Sequence, residues 1–76
     1  DIIAREGDTL VFVEVKYRKD LAAGDPAEAV NERKQEKIRK AAAFYLYVRG
    51  LPPEQPCRFD VVAILGSDFR LLRDAF

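Results

Sequence analysis

Histidine is absent from the 76 residues. Its absence removes imidazole metal ligands, the commonest general base and any Ser-His or Cys-His catalytic pair. A single cysteine, Cys57, excludes an internal disulfide and fits a reducing compartment, the cytoplasm. No run approaches the roughly 18 apolar residues of a membrane-spanning helix, and no signal-peptide pattern is visible. Net charge is absent as well: 13 basic residues balance 13 acidic ones, so overall charge does not point to a polyanionic partner. Methionine is missing, and the chain begins at Asp1 inside a strand-like run. The expectation is a piece of a longer polypeptide whose start lies upstream.

What is present bounds the class. Apolar residues make up 49% and charged residues 34%, a globular balance. The length allows one small domain, residues 1–76, with a thin core. Charge is unevenly placed: residues 1–15 are mostly acidic and residues 16–40 mostly basic. That asymmetry makes either a bipolar surface or an ordinary solvated face.

The most informative stretch is Thr-Leu-Val-Phe-Val-Glu-Val-Lys, residues 9–16. Strand side chains alternate, so Val11, Val13 and Val15 share one face while Leu10, Phe12, Glu14 and Lys16 share the other. Apolar residues on both faces predict a central strand covered on each side. Yet one face ends in a carboxylate and an ammonium, roughly 6.8 Å apart at Cα. A buried charge costs several kcal/mol without a partner, so each needs one. Either the strand leaves the core at this point, or the pair is a site in which an acid holds a cation beside a lysine.

The flanking segments bear on that choice. Asp1–Arg5 reads as a strand and Glu6-Gly7-Asp8 as the turn after it. With Gly7-Asp8 as a two-residue turn, Glu6 pairs with Thr9, Ile3 with Phe12 and Ile2 with Val13. Asp1 then falls opposite Glu14, with Cβ atoms roughly 5 Å apart. Facing carboxylates repel, and a divalent cation between them reverses the sign. Tyr17–Gly24 reads as a loop with a basic start, Arg18 and Lys19. Asp25-Pro26-Ala27-Glu28 looks like a helix start, and Asn31 is a second N-cap candidate. From Glu32 to Arg49 the pattern is helical, with Ile38, Ala41, Ala42, Tyr45 and Leu46 as its apolar stripe. Gly50 and Pro52-Pro53 end it. Gln35 lies one turn before Ile38, either as a polar residue at a frayed start or as an amide directed at the site of Glu14. Arg58–Leu65 reads as a third strand, parallel to the central one across the helical crossover, and Phe69–Leu72 as a short fourth. Arg58 and Asp60 share a face, and a structural ion pair is expected there, with each other or with a neighbour. This order is that of an α/β (α+β) domain.

Asp followed by Glu-x-Lys on the next strand resembles the PD-(D/E)xK, restriction-endonuclease-like nucleases. A longer match runs through Asp-Ile-Ile-Ala, Leu-Val-Phe-Val-Glu-Val-Lys-Tyr-Arg, Pro-Ala-Glu-Ala-Val, Arg-Lys-Gln, Ala-Ala-Ala-Phe-Tyr-Leu and Arg-Phe-Asp-Val-Val-Ala-Ile, in that order, to the closing Arg-Asp-Ala-Phe. Together these resemble the YraN-like family of bacterial endonuclease-like proteins, over essentially the whole chain. The resemblance implies a mixed sheet flanked by helices, akin to archaeal Holliday-junction resolvases. It implies Asp1 and Glu14 as ligands of Mg2+ or Mn2+, Lys16 as the residue that orients or helps deprotonate the attacking water, and Gln35 as a neighbour of the site. Such proteins carry a helix, a strand and a Gly-Glu-Ile run before the position of Asp1; these are missing here, and with them a further acidic ligand.

The implied activity is metal-dependent hydrolysis of DNA phosphodiesters, at branched or junction structures. Arg18, Lys19, Arg33, Lys34 and Lys37 are the candidate phosphate contacts. Junction-cleaving relatives make a homodimer the expected assembly, with no membrane partner. The alternatives are a nucleic-acid-binding module that keeps the motif without the reaction, and a protein-interaction domain.

Overall fold

In the computed structural model, which describes residues 2–26 and 30–76, four strands form one mixed sheet in the order β1-β2-β3-β4. Strand β1 spans Ile2–Glu6, β2 Thr9–Arg18, β3 Cys57–Leu65 and β4 Asp68–Leu72; helix α1 spans Glu32–Val48. β1 and β4 pair antiparallel with their neighbours, while β2 and β3 run parallel through the crossover that contains α1. This α+β arrangement is consistent with a restriction-endonuclease-like fold. No described helix is long and apolar enough to cross a membrane.

The first hairpin has the expected register: Glu6 faces Thr9, Ile3 faces Phe12 and Ile2 faces Val13. Gly7 makes this possible with a φ of 60°, since a two-residue turn of the primed kind needs a left-handed first residue. The pairing of Asp1 with Glu14 lies outside the described residues. β2 continues two residues beyond Lys16, because parallel pairing holds through Tyr17↔Ile64 and Arg18↔Leu65. Tyr17 and Arg18 therefore belong to the strand and not to the loop. After them a single 3-10 turn, Leu21–Ala23, is capped by the Asp20 carboxylate, which accepts from the Ala22 amide at 2.9 Å.

Of the two helix starts, that at Asp25–Glu28 falls partly outside the described residues; Asp25 itself accepts a hydrogen bond from Arg70 at 2.7 Å. Asn31 caps α1, its Oδ1 accepting from the Lys34 amide at 3.0 Å. At the other end Gly50, with a φ of 67°, donates to the Tyr47 carbonyl, and Leu51 donates to that of Leu46. These two bonds form a Schellman ending, which only a residue at ease with positive φ supports.

The core lies between α1 and one face of the sheet. Leu10, Phe12 and Ala42 are buried, with Tyr45, Leu46, Leu51, Cys57 and Phe59 packed around them. Phe12 meets Tyr45 edge to face at 5.9 Å and stacks on Phe59 at 5.6 Å. Phe59 in turn stacks on Phe76, which draws the C-terminal residues back over the sheet. Ala41, read as part of the stripe, is exposed.

Candidate active site

β2 carries Glu14 onto the helix-facing side of the sheet, two positions after the core residue Phe12. There it is only 7% exposed. Its sheet neighbour Val61 is fully buried, so the strand has not left the core where the charge appears. Two ammonium groups meet the same carboxylate oxygen. Lys16 Nζ lies 3.5 Å from Glu14 Oε1, and Lys34 Nζ lies 3.7 Å from it. Both separations exceed the ~2.7–2.9 Å of a charge-assisted hydrogen bond. Among the described residues the carboxylate is thus neutralised electrostatically, through contacts longer than hydrogen bonds. Lys16 has room because its partner across the sheet is the small, buried Ala63.

Lys34 reaches the site from the first turn of α1, where the Asn31 cap fixes the backbone. The next turn brings Lys37 to a cavity of about 540 Å³ between β1, β2 and α1, lined also by Glu14 and Lys34. The structure therefore gathers Glu14, Lys16, Lys34 and Lys37 in one place. It does not gather all of the expected residues. Gln35 is partly buried, and its amide donates to the Val30 carbonyl at 3.1 Å, closing the approach to the helix. Arg33 lies with Glu36, Lys37 and Lys40 along a shallow depression on the flank of α1. Arg18 donates to the Tyr17 carbonyl at 3.1 Å, and Lys19 is exposed on the bend beyond β2. Asp1 lies outside the described residues.

Among the described residues no cluster of three or more cysteine or acidic side chains could by itself hold a metal ion. The chemistry of Glu14 nevertheless fits a hard divalent cation. It is a buried oxygen donor at a cavity wall, and magnesium takes one or two protein carboxylates with water and phosphate oxygens completing its shell.

On the opposite face of the sheet, Arg58 and Asp60 form the expected ion pair, bidentate at 2.9 and 3.0 Å. Asp60 is buried and also accepts from the Asp74 amide at 2.9 Å. The hydrogen bonds from Arg58, with its charge and the Asp74 amide, hold the Asp60 carboxyl below the usual range, and burial opposes them only in part. Glu6 is held low in the same way, its Oε1 accepting from Arg58 and Arg73 at 2.8 Å each. Arg58 is correspondingly raised by its bonds to Asp60 and Glu6. Burial pushes the Cys57 thiol up, away from reactive thiolate. The part played by Glu6 and Arg73 was not visible along the chain, because they are 67 residues apart. The cavity also escaped the one-stripe reading of α1. Phe44 and Val48 lie at helical spacing from Ala41 and Tyr45 and widen the apolar stripe toward the cavity.

A model of the Uncharacterised protein family UPF0102 matches residues 1–64. A UPF0102 protein of Lachnoclostridium phytofermentans is 51% identical over 76 residues, spanning all of this chain and 64% of the relative. UPF0102 proteins of Stutzerimonas stutzeri and Chromohalobacter salexigens are each 46% identical over 80 residues, spanning all of this chain and 67% and 63% of theirs. The chain thus corresponds to about two thirds of the length of these relatives. No solved structure matches it.

Proposed function

The chain belongs to the UPF0102 family, and from the surroundings of Glu14 we propose that it forms the catalytic part of a metal-dependent nuclease that hydrolyses DNA phosphodiesters. The observation that carries this reading is a buried carboxylate met by two ammonium groups at 3.5 and 3.7 Å on a cavity wall. Among the described residues the Glu14 carboxylate has these two loose ion pairs. A buried carboxylate costs stability unless its partners offset the loss of water, a cost that a functional role explains.

In this reading Asp1 and Glu14 hold Mg2+ or Mn2+. When bound there, the cation acidifies a water and offsets the charge that grows on the phosphate. Lys16 sits beside Glu14, where its ammonium orients the attacking water and stabilises the pentavalent phosphorus. Lys34 and Lys37 contact the phosphates on either side, and Arg18, Lys19 and Arg33 extend that contact without reading sequence. Gln35 positions the start of α1 through Val30 rather than touching the substrate. The reading includes a cytoplasmic protein that acts on branched or junction DNA as a homodimer.

One observation favours a second reading, a nucleic-acid-binding module without catalysis: Lys16 and Lys34 already neutralise Glu14, so the site balances its charge with no cation. A cleavage assay separates the two. Full-length protein is incubated with labelled junction, flap, duplex and single-stranded DNA in magnesium, manganese or EDTA, with Glu14→Ala in parallel. Metal-dependent cutting that vanishes in the variant supports the nuclease. Binding without cutting, equal in both proteins, supports the module.

A further inference from the structure

Lys16 and Lys34 meet the same oxygen of Glu14, at 3.5 and 3.7 Å. Two ammonium groups around one carboxylate oxygen oppose any further cation there, since like charges at such range repel, and more strongly where less water lies between them. Glu14 is buried, so the repulsion is not fully screened. A divalent cation is accepted at this oxygen only as one of the ammonium groups withdraws.

The two lysines differ in what holds them. Lys16 stands on the same strand as Glu14, two residues on and on the same face. Both are fixed in parallel pairing, Glu14 with Val61 and Lys16 with Ala63. The pleat itself keeps the Lys16 side chain beside the carboxylate. Lys34 comes from a different element. Its backbone is pinned by the Asn31 cap at 3.0 Å, but its ammonium crosses from α1 to β2 on a flexible four-carbon stem and makes the longer of the two contacts. Withdrawal of Lys34 therefore needs new side-chain torsions and no shift of helix or strand. We infer that Lys34 is an exchangeable counter-ion: it holds Glu14 until a divalent cation takes its place, and so sets the metal affinity of the site. Lys34 is in this respect a positioning residue. The inference rests on the nuclease reading for the metal at Glu14, but it is tested without cleavage.

Full-length protein free of DNA is titrated with Mn2+, and the unbound ion is followed by electron paramagnetic resonance. Lys34→Met keeps the stem and removes the charge. It is expected to bind Mn2+ about tenfold more tightly than the wild type, as loss of one repelling charge at close range does. Lys34→Arg returns the affinity toward that of the wild type, because the charge is restored. Lys37→Met, which removes a charge from the wall of the same cavity, gives a smaller gain. Glu14→Gln abolishes the gain in the Lys34→Met background. Equal or weaker Mn2+ binding by Lys34→Met overturns the inference and leaves the nuclease reading standing. An equal gain in Lys37→Met overturns it too, since the effect is then that of general charge. If neither the wild type nor any variant binds Mn2+, the metal at Glu14 is lost, and the nuclease reading and the inference fall together. If Lys34→Met binds more tightly and the wild type cuts no DNA, the counter-ion role stands and the nuclease reading falls.

Discussion

Lys34 Nζ stands 3.7 Å from Glu14 Oε1, which ties the first turn of α1 to the middle of β2. The helix start is therefore part of the candidate site, and in the proposed nuclease the catalytic carboxylate and a phosphate contact share one ion pair.

Replacement of Lys34 by alanine is expected to weaken DNA binding at low salt and to reduce the slope of log affinity against log salt by about one, the share of a single phosphate contact. Fluorescence anisotropy over a salt series measures this. An unchanged slope would confine Lys34 to pairing with Glu14.

Lys16→Ala is expected to lower the single-turnover cleavage rate about 10²- to 10³-fold, the usual loss for one electrostatic donor. DNA affinity should change little. Quench-flow kinetics beside a binding titration separates the two quantities, and a variant with normal rate but poor binding would make Lys16 a substrate contact only.

Acid should destabilise the protein through the opposite face of the sheet. Asp60 and Glu6 are held below their ordinary values, mainly by hydrogen bonds from Arg58. Once unfolded, both take up protons at a higher pH than in the folded protein. Stability from these groups is thus present above the ordinary carboxylate range, about pH 4, and is lost as pH falls through their lowered folded values. Asp60→Asn should be less stable at neutral pH and show a flatter fall in thermal midpoint below about pH 4. A variant curve as steep as that of the wild type would place the acid sensitivity elsewhere.

Phe12→Ala is expected to cost about 3–5 kcal/mol, because it removes both ring contacts at the centre of the core. Asn31→Ala should cost about 1 kcal/mol through loss of the cap on the Lys34 amide. Urea unfolding measures both. Near-equal losses would mean that the helix start, not the ring cluster, limits stability.

Much of this protein is local, and local features were legible along the chain. The Gly7-Asp8 turn set the hairpin register, since glycine alone adopts its backbone without strain. The period-two alternation of β2 placed Glu14 and Lys16 on the face of Phe12. Asn31 and Gly50 marked the ends of α1 by their own side-chain and backbone chemistry. What only the tertiary structure decided was which distant groups meet. Gln35 donates to the Val30 carbonyl five residues back, a contact that the helical pattern alone did not single out. Lys34, one of several similar lysines, is the one whose position on the helix aims it at Glu14. Arg58 joins Asp60 to Glu6, and Arg73 joins Glu6 from the far end of the chain. Such pairings depend on the angle and height at which a helix or tail crosses a sheet. Side-chain spacing within one element carries no information about either.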